Sequence, residues 1–153
     1  VGIIPDTAWL ESAGLPASGV PTDASGRSEL PDVFAAGDAA AVYDAFLERH
    51  VVGGHWEAAS RQGIQVANAL LGHEPAPAPL ASFWSDQYGT RIQYLGHAEL
   101  ADEVTIEGDT AARDFVARYT RDGQLVAALV VGRPRAVGEL RQDLEYMTER
   151  APV

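Results

Sequence analysis

Cysteine is absent from the 153 residues. That excludes disulfides, thiolate metal sites, iron–sulfur ligation and a cysteine nucleophile from this segment, so any redox chemistry must come from a bound organic cofactor. A reducing cytoplasm is the simplest compartment for such a chain. No apolar run reaches the roughly 18 residues of a membrane span, and no basic-then-apolar leader is present. Neither a membrane association nor secretion is therefore expected. Cations are scarce, with 11 Lys and Arg against 22 Asp and Glu, for a net charge of −11. A field of that sign repels nucleic acid and anionic membrane surfaces. The first residue is Val1 rather than Met, so the sequence is expected either to be cut from something longer or to omit its start.

Apolar residues make up 46% of the chain, enough for a real core. Val1 to Ile4 reads as the end of a strand stopped by Pro5. Asp6 is placed to cap a short helix through Leu10 and Ala13 that Gly14 closes. Val20–Thr22 and Ser28–Leu30 flank the turn signal Asp23-Ala24-Ser25-Gly26, which predicts paired extended segments. The run Val33-Phe34-Ala35-Ala36 then ends at Gly37-Asp38, the pattern of a buried strand stopping at a functional edge. Residues 39–54 show no clear period. From Trp56 to Leu71 the spacing is helical, with Trp56, Ala59, Gly63, Val66 and Leu70 on one face and Gly72 at the end. The three alternating prolines of GHEPAPAPL, residues 72–80, predict a stiff connector and a domain boundary, dividing the chain into 1–80 and 81–153.

Beyond the connector the period changes to two. Arg91–Gly96, Val104–Glu107, Arg113–Thr120 and Leu125–Val131 read as strands, the last two joined by the hairpin signal Arg121-Asp122-Gly123-Gln124. Pro134 suits the first turn of a helix whose stripe is Val137, Leu140, Leu144 and Met147. The expectation is an α+β chain whose last 70 or so residues form a small antiparallel sheet with one packed C-terminal helix.

The strongest candidate for chemistry is Ala35-Ala36-Gly37-Asp38. Glycine there lets the backbone approach a ligand, and the aspartate presents a carboxylate able to accept bonds from sugar-like hydroxyls, at about twice the strength of neutral pairs. Read alone, the same four residues also fit a strand-ending turn with a solvated aspartate. Four histidines, His50, His55, His73 and His97, lack a helical His-x-x-x-His pair or a cysteine partner, so no metal is expected. Ser82 and Ser85 sit in no Gly-x-Ser-x-Gly elbow, which disfavours a hydrolase. No G-x-G-x-x-G fingerprint occurs in the chain.

Several of these elements, taken in order, resemble one family. Ser28-Glu29-Leu30-Pro31-Asp32-Val33-Phe34-Ala35-Ala36-Gly37-Asp38 is similar to the T-x-x-P-D-I-F-A-A-G-D segment late in ferredoxin-reductase-like flavoproteins, a group that includes rubredoxin and putidaredoxin reductases and relatives of apoptosis-inducing factor. A Trp-led helix with a Gln-Gly step follows, matched by Trp56 and Gln62-Gly63. F-W-S-D-Q-Y is matched by residues 83–88. The opening Val1-Gly2-Ile3-Ile4-Pro5-Asp6-Thr7 resembles the family's return from the nucleotide domain, and Arg133-Pro134-Arg135 its closing N-R-P-R. No His-Pro pair is present, which argues against the disulfide-reductase branch.

The resemblance implies that residues 1–80 are the tail of a Rossmann-like FAD-binding domain and 81–153 a reductase C-terminal domain. Asp38 would bond the ribityl hydroxyls of FAD, with Gly37 and Ala39 beside it. Trp56 and the start of its helix would lie at the isoalloxazine, the helix dipole favouring the negative charge that develops there on reduction. Trp84 would wall the pocket from the second domain. The family often has W-x-N-A at the helix opening, whereas this chain has Glu57 and Ala58. Glu57 is read as capping its own helix, and His55 as an ordinary first-turn residue. The implied activity is that of an NAD(P)H-linked ferredoxin or rubredoxin reductase, with the fragment alone inactive. An acidic ferredoxin would dock partly on a basic face of Arg133, Arg135 and Arg141, with Arg113, Arg118 and Arg121 nearby; solvated arginines paired with local acids remain the alternative. A non-catalytic docking or homodimerisation module is the second functional reading.

Overall fold

A computed structural model describes residues 4–73 and 80–149. The expected strand end at Val1–Ile4 and the proline connector at 72–80 lie largely outside the described residues. The chain divides into two compact units, Val1–Ala78 and Pro79–Val153.

In the first unit a 3-10 turn spans Ala8–Ala13 and closes on Gly14 in the left-handed region, φ 76°. Thr7, not Asp6, occupies its N-cap position, and its buried hydroxyl bonds the carbonyl of Ala17 across the loop. Asp6 contributes only its carbonyl, which accepts from the Trp9 indole N–H at 3.0 Å.

Strand β1 (Val20–Thr22) pairs in parallel with β2 (Ala40–Asp44), which pairs antiparallel with β3 (Arg49–Val52). The β2–β3 hairpin lies in the stretch whose sequence shows no period. Its turn is made by a side chain: the Asp44 carboxylate accepts from the N–H groups of Phe46 and Leu47 at 2.9 and 3.0 Å, and Glu48 takes a positive φ of 51°. The buried strand expected at Val33–Ala36 is not formed. Those residues are half-buried; the Ala35 N–H donates to the Gly26 carbonyl, the Ser28 N–H to the Val33 carbonyl and the Val33 N–H to the Leu30 carbonyl, with a single bridge from Arg27 to Phe34. These local bonds take up backbone groups that a ladder would otherwise use, and the regular strand begins just beyond, at Ala40.

Helix α1 (Trp56–Leu70) forms where the period predicts it. The residues read as one face are split between the two sides: Ala59 and Val66 are half-buried, while Trp56, Gly63 and Leu70 are exposed. The side turned toward the rest of the unit carries Ala58, Ala59, Gln62, Gln65, Val66 and Ala69, all half-buried. Gly72 ends the helix at φ 74°, and the His73 N–H returns to the Asn68 carbonyl at 3.0 Å.

The second unit is a five-stranded antiparallel sheet, order β4 (Ser82–Gln87), β5 (Thr90–Gly96), β8 (Gln124–Val131), β7 (Asp114–Arg121), β6 (Glu103–Asp109), with helix α2 (Ala136–Glu149). Two connections are two-residue turns with both residues at positive φ: Asp122 and Gly123 (50° and 76°), and Tyr88 and Gly89 (50° and 75°). That geometry matches the right-handed twist of the strands it joins. Leu140 and Leu144 of α2, 0% and 3% exposed, close over Leu95, Val116, Ala128 and Val130. Each such leucine contributes about 1.5–3 kcal/mol relative to exposure. The α+β organisation, with one helix packed on a small antiparallel sheet, is thus present as expected. Met147 lies within α2, and its side chain is outside the described set.

Candidate functional site

The residues singled out by sequence fall in two places. Gly37, Asp38 and Ala39 form a 3-10 turn that ends the extended segment 33–36. Gly37 is at φ 70°, a region that residues with a Cβ rarely adopt. Its N–H donates to Oε1 of Gln62 at 2.7 Å, one turn and a half into α1, and a Cβ on it would touch the Ala59 methyl at 3.6 Å. The turn bearing Asp38 is therefore tied to the first turns of the helix that Trp56 opens. Gly53 completes the corner: a Cβ there would stand 2.6 Å from that of Ala58, so only glycine lets the chain enter the helix this way.

His55 is the N-cap of α1. Its Nδ1 accepts the N–H of Ala58 at 3.2 Å, which places the ring proton on the other nitrogen. The capping role expected of Glu57 thus belongs to His55. The Glu57 carboxylate instead pairs with Arg61 one turn on. The Arg61 guanidinium thereby offsets the negative charge that Glu57 brings to this end of the helix. A helix leaves its first N–H groups without intrahelical partners, so with Ala58 satisfied by the cap, the N–H groups of Trp56 and Glu57 mark the open, electropositive end. Asp38 is exposed, and the Trp56 ring is 79% exposed beside this end.

The arrangement offers an accepting carboxylate, a tight glycine turn and a helix N-terminus on one corner of the first unit. Gln62 is the functional strut that single-residue reasoning missed; its signal was the Gln-Gly step, read only as part of a helix. Two cavities of this unit, about 170 and 310 Å³, are lined by residues 21–23, 27–34 and His50 and include none of these groups.

Trp84 belongs to the second unit and is described there by itself. It is 51% exposed near the β4 edge, on the side of the sheet that α2 covers, with the Arg91 guanidinium 4.3 Å from its ring centre. Arg91 also pairs with Asp86 at 3.1 Å, which fixes it over the indole. On the opposite face Phe83 stacks on Tyr94, ring centres 5.1 Å apart. Burial pushes the Tyr94 phenol above its ordinary range, opposed in part by the Ala98 N–H that its oxygen accepts at 2.7 Å. At the β4–β5 turn Tyr88 is 93% exposed.

Two of the arginines expected to form a basic face are paired with local acids. Arg133 binds Asp114 at 2.7 Å and Glu107 at 3.4 Å, and Arg141 pairs with Glu145. Bonding to Asp114 holds the Arg133 guanidinium above its ordinary range. Among the described residues no group of three or more His, Asp or Glu is placed to hold a metal, and no helix is long and apolar enough to cross a membrane.

Comparison with known proteins settles the family. Residues 1–63 match the pyridine nucleotide-disulphide oxidoreductase family, and residues 82–152 match the family described as reductase C-terminal. The chain belongs to the ferredoxin-reductase-like pyridine nucleotide oxidoreductases. Among relatives of this reductase family, the ferredoxin–NAD(+) reductase component of the anthranilate 1,2-dioxygenase system of Burkholderia cepacia is 34% identical over 144 residues, covering 93% of this chain and 36% of that protein. The ferredoxin reductase subunit of the 5,5'-dehydrodivanillate O-demethylase of a Sphingobium strain is 38% identical, covering 88% and 33%. The putidaredoxin reductase solved in covalent complex with putidaredoxin superimposes with a TM-score of 0.86 at 28% identity, covering 99% of this chain and 36% of that one. The chain spans about a third of the length of these relatives.

Proposed function

We propose that the chain is the C-terminal part of an FAD-dependent reductase that takes electrons from NAD(P)H and delivers them to a ferredoxin or rubredoxin. The observation that carries this reading is the Gly37–Gln62 tie, which joins a carboxylate-bearing turn to an open helix N-terminus. These residues fit FAD: an exposed aspartate for polyol hydroxyls, a glycine turn that allows close approach, and the first N–H groups of a helix beside an indole. Bound FAD would supply the conversion of a two-electron hydride into single electrons that an iron–sulfur protein accepts.

The residues of this chain then have distinct tasks. Asp38 accepts hydrogen bonds from the ribityl chain, with Gly37 and Ala39 giving the backbone room beside it. Trp56 would cover the ring system, while the N–H groups of Trp56 and Glu57 would stabilise the negative charge that builds there on reduction. Within the second unit, Trp84 held by Arg91 is a fixed, half-exposed apolar surface. The proposed division of labour is residues 1–80 for flavin and 81–153 for interface, in a cytoplasmic enzyme.

FAD added to the purified 153-residue chain is expected to bind more weakly than micromolar by calorimetry, because most of a dinucleotide site lies elsewhere. In the protein extended to the length of its relatives, Asp38→Ala is expected to lower flavin content severalfold. Unchanged flavin content in that variant would sink the assignment.

A docking or homodimerisation role for the second unit is favoured by its own closed core together with the exposed Trp84 and Tyr88. Deletion of 81–153 from the longer protein separates the two readings. Flavin retention and hydride uptake with failed electron delivery or lost dimerisation assign the unit to docking.

A further inference from the structure

The covered side of α1 meets one stretch of chain along most of its length. Ala59, Gln62, Val66 and Ala69 follow one another at helical steps, so they share a face about 15 Å long. Near one end of that face lies the turn before Asp38: Gly37 bonds Gln62, and a Cβ on it would touch Ala59 at 3.6 Å. Near the other end lies the turn Asp23–Arg27. Gly26 is buried there at φ 80°, and a Cβ on it would overlap Cγ2 of Val66, so only glycine lets this turn reach the helix. The two ends are joined, because the Ala35 N–H donates to the Gly26 carbonyl at 2.9 Å.

Arg27 completes the second contact. The Asp23 carboxylate fixes its backbone N–H at 2.9 Å. Its guanidinium lies 4.8 Å from the Phe34 ring centre and donates through Nη2 to the Ala69 carbonyl at 3.2 Å. Phe34 stands on the segment that runs into Gly37-Asp38. Ala69 is in the last turn of α1, and that turn has no basic residue of its own. The charge that complements the negative end of the helix dipole therefore comes from 42 residues away. One planar cation grips both the segment that leads to Asp38 and the helix that Trp56 opens.

We propose that Arg27 is a positioning residue for the flavin corner, holding α1 and the segment that ends at Asp38 as one rigid body. The inference rests on the proposed function and extends it to a residue outside the corner. A helix behaves as a rod. The Gly37–Gln62 bond pins this rod at one point, and the Arg27–Ala69 bond pins it at a second, about 10 Å further along the axis. Two pins fix the direction of a rod, whereas one lets it pivot. The end that swings carries Trp56, so loss of the second pin moves the N–H groups of Trp56 and Glu57 relative to the Asp38 carboxylate. Both would meet a single ligand, so their separation decides its fit, and a misplacement of about 1 Å is costly at a reacting centre. Lysine in place of Arg27 keeps a donor for Ala69 but cannot lie flat on Phe34.

Two settings separate this role from a merely stabilising one. In the 153-residue chain, Arg27→Ala is expected to raise amide exchange severalfold at Gly37 and Ala58, whose N–H groups Gln62 and His55 hold. Arg27→Lys should fall between that variant and the parent. Leu10→Ala, which removes a buried side chain of the same unit away from the clamp, should lower the unfolding temperature without this local rise. In the protein extended to the length of its relatives, Arg27→Ala is expected to speed flavin dissociation roughly tenfold and to shift the flavin midpoint potential to a more negative value, because donors that stabilise the reduced ring are displaced. Leu10→Ala should leave both unchanged. Phe34→Leu removes the stacking ring and keeps the Ala69 bond; it should give a smaller change in the same direction, and it carries the test should Arg27→Ala not fold. Unaltered potential and flavin dissociation in both clamp variants, beside a lowered unfolding temperature, would overturn the inference and leave the flavoprotein reading standing. An extended parent protein that holds no flavin would overturn that reading, and the inference with it.

Discussion

The two helices of this chain are of similar length and both are amphipathic, yet they use their apolar faces in opposite ways. Helix α2 turns Leu140 and Leu144 onto the sheet and seals the core of its unit. Helix α1 has no fully buried residue; it turns Val66 and small alanines inward and leaves Trp56, Ile64, Leu70 and Leu71 exposed. An apolar stripe in the sequence therefore does not say which way it will face. The second unit covers the stripe of its helix within residues 79–153, whereas the first leaves the larger apolar side chains of its helix uncovered.

The sharpest contrast is between core leucines and stripe leucines. Leu140→Ala should destabilise the second unit by about 2–5 kcal/mol, through lost burial and a residual cavity. Leu70→Ala in α1 should change the stability of the 153-residue chain by less than about 0.5 kcal/mol. Urea unfolding followed by circular dichroism reads both, and a comparable loss for Leu70→Ala would break the comparison. Next in size is the strut. Gln62→Ala leaves the half-buried Gly37 N–H unpaired, a cost of about 1–3 kcal/mol, and should loosen the Asp38 turn enough to raise amide exchange at Gly37. His55→Ala should cost about 1 kcal/mol of α1 stability, and His55→Asn should restore most of it; equal losses in the two variants would show that the imidazole does something other than cap.

The smallest effect concerns pH in the second unit. A folded-state Tyr94 phenol held above its ordinary range keeps its proton when the unfolded chain has lost it. Its contribution to stability is whole below about pH 10, the ordinary tyrosine value, and declines as pH rises through the folded value. Absorbance titration of phenolate should show a late-ionising tyrosine that Tyr94→Phe removes.

Much of the second unit was legible because its signals are local. Asp122-Gly123 is a strong hairpin dipeptide, and Leu140 and Leu144 lie one turn apart. Strand β4 was harder, since Tyr88-Gly89 places a bulky residue at a positive φ that Asn or Gly usually occupies. In the first unit the β2–β3 hairpin escaped notice because its turn has neither glycine nor proline and depends on the Asp44 side chain. Gly37-Asp38 was legible as the turn that ends an extended segment, but its support was not. The Gln62 contact spans 25 residues and follows from tertiary placement alone. Glu57 shows the same limit: a first-turn acid reads as a cap, and only the position of Arg61 shows where its carboxylate goes.

Amide hydrogen exchange on the 153-residue chain, resolved to α1 and α2, tests most directly whether the two units secure their helices unequally. Amides in the Leu140–Leu144 turn should exchange slowly, near the rate of global unfolding of their unit, while those of Ile64–Leu70 exchange orders of magnitude faster through local opening. Protection in α1 equal to that in α2 would contradict the account, because the first helix would then already possess all the packing it requires.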